Sequence, residues 1–255
     1  MKLWAHRGCS QRYPENTLTA FGKAAELYDR GLCGIELDVQ LSKDGVPVVI
    51  HDERIDRTTD GYGFVRDYTL AELKTFHIHT GSVKPEHIPA LEEVLDFLEP
   101  YMKRGMRLNI ELKNSVYLYP GMEEKVIETV EQRGLLDASV WSSFSAKSLS
   151  RVRAMLPEAE IGILDRRASD CLYKQRGGCG ANAIHPFWQG MDVSAEELDE
   201  TYRGFAAGKK HTLPVRAWFS GHLYPEKPTG GRLDIAALEE KGITDVILNE
   251  PEVYL

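Results

Sequence analysis

Five side chains able to act together on a phosphate ester stand at or near the ends of short apolar runs. They are His6 in Ala5-His6-Arg7-Gly8, Glu36 and Asp38 in Ile35-Glu36-Leu37-Asp38, His51 in His51-Asp52, and Glu111 in Ile110-Glu111-Leu112-Lys113. Cleaving a phosphodiester requires neutralisation of the phosphoryl oxygens, a base for the nucleophile and an acid for the leaving group. Carboxylates holding a hard cation answer the first need, and two imidazoles answer the others. Ligands that are all oxygen suit one divalent cation, Mg2+ or Ca2+. Arg7 offers a planar fork to phosphate oxygens, and Gly8 lets the backbone approach an anion closely. Lys113 adds a second positive charge. A lone histidine at a strand end is more often structural than catalytic, so the weight rests on the set.

These residues can meet only if their elements share a site. From Ile35 to Leu41 apolar and polar residues alternate strictly, so Glu36 and Asp38 point the same way. The run from Leu108 to Lys113 repeats the pattern and aligns Asn109, Glu111 and Lys113. On an isolated antiparallel strand such a face would simply be solvated; in a barrel it fills the interior towards the catalytic end. The link Ser42-Lys43-Asp44-Gly45 is too short for a parallel crossover. The run from Val46 to His51 must therefore return antiparallel through an Asp-Gly hairpin. A two-residue turn at Asp44-Gly45 puts His51 opposite Asp38, and one at Lys43-Asp44 puts it opposite Glu36. A three-residue loop would turn His51 to the other face.

Along the whole chain, candidate strands cover 2–5, 34–41, 107–112, 138–143, 159–164, 182–185, 213–219 and 244–248. Candidate helices cover 16–28, 90–103, 121–133, 145–156, 194–208 and 233–242, with a further one around 166–176. Eight strands interleaved with helices in 255 residues predict an α/β fold, a (β/α)8 TIM-type barrel. No GxGxxG or P-loop pattern supports an open doubly wound sheet. Residues 53–106 interrupt the alternation with turns, a short helix near 69–76 and a polar stretch through 77–88. That is too much chain for one βα loop. The expectation is a single catalytic domain over 1–255, with an insertion subdomain within 53–106 after the second-strand hairpin and 90–103 returning as a barrel helix. Asn16 and Ser145 are read as helix N-caps, and Ser194-Ala195-Glu196-Glu197 as a capping box.

Hydrophobic residues make up 42% of the chain and charged residues 27%, enough for a substantial core. A net charge of −8 argues against a nucleic-acid partner. A small anionic substrate would instead be drawn by local positive charge. The four cysteines lack CxxC spacing, which reads as reduced thiols rather than zinc ligands or disulfides. No run approaches the roughly 20 apolar residues of a membrane span, and no leader precedes the His6 motif. The expectation is a cytoplasmic protein without stable membrane insertion. The inserted segment suits either a lid over the substrate or the contact of a homo-oligomer.

These residues and their neighbours resemble the glycerophosphodiester phosphodiesterase family, in its bacterial cytosolic type. The resemblance rests on His6-Arg7-Gly8, Pro14-Glu15-Asn16-Thr17, Ile35 to Val39, Asp44 to Asp52, Arg57-Thr58-Thr59-Asp60-Gly61, Tyr68 to Leu73, Ile88 to Leu95 and Ile110 to Lys113. A weaker match continues through Ser143-Phe144-Ser145 and His185-Pro186. It implies a barrel with a small insertion after the second strand and hydrolysis of glycerophosphodiesters to glycerol 3-phosphate and an alcohol. It also implies that Glu36, Asp38 and Glu111 hold the cation, His6 and His51 form the acid/base pair, and Arg7 and Lys113 contact phosphate. Two stretches depart from the family pattern: Trp218-Phe219-Ser220-Gly221 replaces Trp-Thr-x-Asn, and Leu248-Asn249-Glu250-Pro251 replaces Thr-Asp-x-Pro. Both bear on the substrate pocket and spare the metal and imidazole set.

Other residues carry weaker readings. Trp218 is a candidate substrate wall, and Arg216, two residues away, is expected to pair with an interior carboxylate. Asp52 either orients His51 or begins a turn. His77, His79 and His87 read as solvated side chains of the inserted segment rather than a second metal site. The rival functions are a lysophospholipase D-like activity, which needs an apolar groove, and a metal-binding module without catalysis.

Overall fold

Strict alternation from Ile35 and from Leu108 produces two neighbouring parallel strands in the structure, a computed structural model that describes residues 1–79, 85–198, 213–219 and 233–255. The strands are β1 (Lys2–His6), β2 (Gly34–Leu41), β3 (Pro47–Val49), β4 (Arg107–Leu112), β5 (Ser139–Ser143), β6 (Glu160–Asp165), β7 (Ala183–Pro186), β8 (Arg216–Trp218) and β9 (Asp245–Leu248). All but β3 run parallel, in the order β7-β6-β5-β4-β2-β1-β9-β8. Bridges from Ile184 to Val215 and from Phe187 to Trp218 bring β7 against β8. The result is a (β/α)8 TIM-type barrel, as the alternation predicts. β3 lies outside the ring, antiparallel to β2.

The described helices are α1 (Leu18–Ala25), α2 (Leu70–Leu73), α3 (Leu91–Met102), α4 (Met122–Glu131), α5 (Ala146–Met155), α6 (Ala168–Arg176) and α7 (Ile235–Glu240). Of the helix expected over 194–208, only the first turn at 195–198 falls within the described residues, with the Ser194 hydroxyl accepting from the Glu197 amide at 3.2 Å. Ser145 caps α5 through the Ser148 amide, as expected. The cap of α1 is Thr17, not Asn16: the Thr17 hydroxyl accepts from the Ala20 amide. Asn16 turns inward to another task described below.

One face of each barrel strand is apolar, and it packs on the helices. Ile35, Leu37, Val39, Leu108, Ile110 and Leu112 are all buried in one continuous cluster with residues of α1, α3 and α4. Burying such a side chain stabilises the fold by about 1.5–3 kcal/mol. The other face turns Glu36, Asp38 and Gln40 inward from β2, and Asn109 and Glu111 from β4. Between β3 and α3 the chain builds a second, separate cluster of Val48, Ile50, Ile55, Val65, Leu73 and Ile88. Among the described residues, no helix is long and apolar enough to cross a membrane.

Candidate active site

Register decides which inward side chains become neighbours. β2 and β4 pair Asp38 with Glu111 and Glu36 with Asn109, while β1 and β2 pair His6 with Glu36. One carboxylate oxygen from each of Glu36, Asp38 and Glu111 lies within 4.8 Å of the others. All three side chains are buried. Lys113 Nζ sits 3.1 Å from Glu111 Oε1 and 3.8 Å from Asp38 Oδ1. Arg7 reaches Asp38 Oδ2 at 3.1 Å through Nε and Glu15 Oε1 at 2.8 Å through a terminal nitrogen. His6 Nε2 is 3.8 Å from Glu36 Oε2.

The loop after β1 is shaped to present these groups. Arg7 takes a left-handed backbone (φ 56), and its amide hydrogen-bonds Glu36. Such a conformation in a non-glycine residue costs energy and clusters at functional sites. Asn16 is also left-handed (φ 58), and its side-chain amide donates to Asp38 Oδ2 at 2.9 Å. Asn16 therefore fixes an acidic side chain rather than capping a helix. Gly8 has a different reason from the one its sequence context invites. A Cβ there would lie 2.6 Å from the Ala20 backbone, so glycine is needed for α1 to pack beneath the loop.

The hairpin departs from both two-residue registers. Val39 pairs with Val49 and Leu41 with Pro47, which makes Lys43-Asp44-Gly45 a three-residue loop. Its closing bonds run from the Ser42 amide to Val46 and from the Gly45 amide to Ser42. Gly45 supplies the left-handed residue (φ 77) that such a loop uses. On continued strand parity His51 would face away. Instead the ladder ends after the Ile50 amide bonds Asp38, and the chain bends. The Gln40 side-chain nitrogen lies 3.2, 3.1 and 2.6 Å from the carbonyl oxygens of Ile50, His51 and Asp52. Three successive carbonyls cannot converge on one donor from an extended strand. That curl, held by Gln40, swings His51 back into the same cavity as His6, Arg7, Glu36, Glu111 and Lys113.

Each imidazole has a different partner behind it. His51 Nδ1 meets Asp52 Oδ1 at 2.6 Å, and His6 Nδ1 meets Asn249 Oδ1 at 2.7 Å. An oxygen acceptor at Nδ1 places the proton there and makes Nε2 the basic nitrogen of the ring. Burial and the adjacent Arg7 guanidinium push His6 down to about 3. The sequence marks Asn249 only as a departure from the family pattern, whereas its contact with His6 Nδ1 orients the ring.

Electrostatics test whether the three carboxylates suit a cation. Burial and the charges of Asp38 and Glu111 push the Glu36 carboxyl well above its usual range. Burial acts on Asp38 in the same sense, but Arg7, His51 and Lys113 outweigh it and hold that carboxyl well below the usual range. Glu36 Oε1 and Asp38 Oδ1 are buried without a hydrogen-bond donor. Buried carboxylate oxygens normally have partners, and a divalent cation among the three groups would supply one while relieving their repulsion. Oxygen-only donors of this kind fit a hard ion. Among the described residues, this is the one group of three or more acidic or thiol/imidazole side chains close enough to share a metal ion. His77 pairs with Asp60 at 3.0 Å and His87 with the Phe76 carbonyl at 2.9 Å, outside that group.

The site opens into a cavity of about 390 Å³, also lined by Phe144, Leu164, Trp218 and Ile247. Trp218 packs on Phe187, with ring centroids 4.7 Å apart, and its indole donates to the His185 carbonyl at 3.2 Å. Arg216 does pair with interior carboxylates, Glu160 and Asp245. Of the departing stretch at 218–221, Ser220 and Gly221 lie outside the described residues.

Fold and site together define a barrel enzyme of the hydrolytic class, with its reactive groups at the C-terminal ends of the strands. Residues 6–175 match the model of the glycerophosphoryl diester phosphodiesterase family, and the chain belongs to that family. It is 43% identical over 254 residues to the glycerophosphodiester phosphodiesterase of Caldanaerobacter subterraneus subsp. tengcongensis, covering 98% of this chain and 95% of that protein. A glycerophosphodiester phosphodiesterase of Bacillus altitudinis is 46% identical over 201 residues, 76% of this chain and 79% of that one. Among solved structures, an Oleispira antarctica phosphodiesterase in complex with the product sn-glycerol-3-phosphate superposes with a TM-score of 0.74 at 25% identity, covering 99% and 94% of the two chains.

Proposed function

We propose that this protein hydrolyses glycerophosphodiesters to glycerol 3-phosphate and an alcohol, using one divalent cation, Mg2+ or Ca2+, held by Glu36, Asp38 and Glu111. The observation that carries this reading is the convergence of those carboxylates within 4.8 Å, beside His6 and His51 in one cavity. The cation supplies Lewis-acid polarisation of the phosphoryl group when bound. Arg7 and Lys113, at the same cavity, share the charge on the phosphoryl oxygens. Trp218 forms part of the wall against the organic portion of the substrate.

The partners behind the imidazoles support a division of labour. Asp52 stabilises the imidazolium that His51 becomes on accepting a proton, so His51 is the base for the nucleophile, either water or the neighbouring glycerol hydroxyl. His6, oriented by the neutral Asn249, gives a proton to the leaving alcohol, and exchange with water reprotonates His6 and deprotonates His51 before the next turnover. An anionic diester seated beside His6 opposes the effect of Arg7 and favours its protonated form. Residues 53–106 accompany the barrel as an insertion within one catalytic domain.

The test is turnover of glycerophosphocholine, glycerophosphoethanolamine and a lysophospholipid, each with and without EDTA. Release of glycerol 3-phosphate that stops with chelator and returns with Mg2+ or Ca2+ is expected. Turnover of the lysophospholipid alone would favour the lipid diesterase reading. Silence on all three with measurable metal binding would leave a binding module.

A further inference from the structure

His51 sits on a bend outside any strand, yet proton transfer needs its ring held to a fraction of an ångström. Asp52 is its immediate partner, but Asp52 lies on the same bend and cannot by itself anchor it. The anchor is visible one residue further out. Arg57 Nε donates to Asp52 Oδ2 at 2.6 Å, and one terminal nitrogen to Asp52 Oδ1 at 3.1 Å. The same guanidinium grips Glu15, with contacts of 2.8 Å to Oε2 and 2.7 Å to Oε1. Glu15 belongs to the loop after β1 and is itself held by Arg7 at 2.8 Å.

We propose that Arg57 is a positioning residue of the active site, clamping the Asp52–His51 pair to the barrel loop through Glu15. This rests on the diesterase reading for its consequence in turnover, though not for its geometry. Every nitrogen of the guanidinium is engaged, and both carboxylates are held in two-point contacts. A planar fork can do this; an ammonium at the same place cannot, since it is a point charge with no fixed directions. Arg57 does not line the cavity that His51 and Arg7 line, so its action passes through Asp52. The pair stands in one tautomer only while Asp52 keeps its orientation, and that leaves His51 Nε2 turned towards the substrate. The effect belongs to the placement of the base, where a misplacement of about 1 Å can cost roughly 100-fold in rate.

The experiment compares wild type with Arg57→Ala, Arg57→Lys and Asp52→Asn. Expected for both Arg57 variants, assayed well below their unfolding transitions, is a fall in kcat of about 10- to 100-fold with KM and cation affinity nearly unchanged, alongside a melting temperature lowered by the loss of the Glu15 contacts. Free guanidinium ion at low millimolar concentration should partly restore Arg57→Ala and leave Asp52→Asn unrescued. Full kcat in Arg57→Lys would overturn the fork, and full kcat in Arg57→Ala would overturn the clamp. Imidazole nitrogen NMR shifts of His51 give a readout independent of turnover: one tautomer in wild type and a mixture in Arg57→Ala. Should wild type cleave no diester, the diesterase reading falls while these shifts still decide the clamp, and an unchanged tautomer would overturn it.

Discussion

His6 and His51 show how little a residue's type says about its work until its neighbours are known. Both rings donate from Nδ1 to an oxygen, but Asp52 carries a charge and Asn249 does not. A carboxylate stabilises imidazolium; an amide only fixes the ring. Truncating either ring should therefore remove a proton-transfer step without removing any fold contact of comparable weight. His6→Ala and His51→Ala are each expected to lower kcat by roughly 10²- to 10⁴-fold. Far-UV circular dichroism and the urea midpoint should stay close to wild type. Near-normal kcat in either variant would remove that histidine from the mechanism. The types and parity of Glu36, Asp38 and Glu111 were legible in the sequence because alternation along a strand is a local property. The partners Asn249, Glu15 and Arg57 were not, because each arrives from a distant segment and only the fold makes it a neighbour.

At the scale of elements, the hairpin after β2 carries the sharpest lesson. Asp44-Gly45 signals a turn correctly, but a two-residue type I′ turn would need both residues left-handed, and only Gly45 is, so the loop takes three residues. Parity then predicts His51 on the wrong face, and the chain avoids that outcome by leaving the ladder. Gln40 is what permits it. Its amide nitrogen gathers three carbonyls while its oxygen accepts from Tyr119 at 3.0 Å. Replacing it with leucine keeps the volume and leaves these groups without their partner. Gln40→Leu is expected to cost about 1–3 kcal/mol in urea unfolding and to lower kcat as well. Lost stability with kcat intact would show that the bend holds His51 without Gln40. Side-chain-to-backbone bonds of this sort have no periodic signature, which is why the alternation of β2 announced an inward Gln40 but not its purpose. Asn16 and Thr17 show the same limit at a smaller scale. Both are good capping types, and the choice between them follows from the reach of Asn16 to Asp38, a contact set by tertiary structure.

Two groups of charged side chains act at the scale of the whole molecule. Inside the ring, Arg216 meets Glu160 and Asp245, the Trp4 indole donates to Asp245 at 2.8 Å, and Arg216 stacks 5.4 Å above the Trp4 ring. Around the active site, Glu15 joins Arg7 of the β1 loop to Arg57 of the segment after β3, so it ties that segment to the barrel. Burial pushes the Glu15 carboxyl up, but the Arg57 hydrogen bonds and the Arg7 charge outweigh this and bring it down from 4.5 to about 2. A carboxyl whose folded value lies below its unfolded one binds protons more tightly when the chain is unfolded. Its contribution to stability is therefore complete above pH 4.5 and is lost as pH falls towards 2. The full contribution is on the order of 2–3 kcal/mol. Glu15→Gln keeps the shape and removes the charge. The difference in unfolding free energy between wild type and this variant should be largest near neutral pH and shrink steadily towards pH values of about 3. Urea titrations across that range decide the matter, since a difference that did not change with pH would have to come from packing rather than from the ion network.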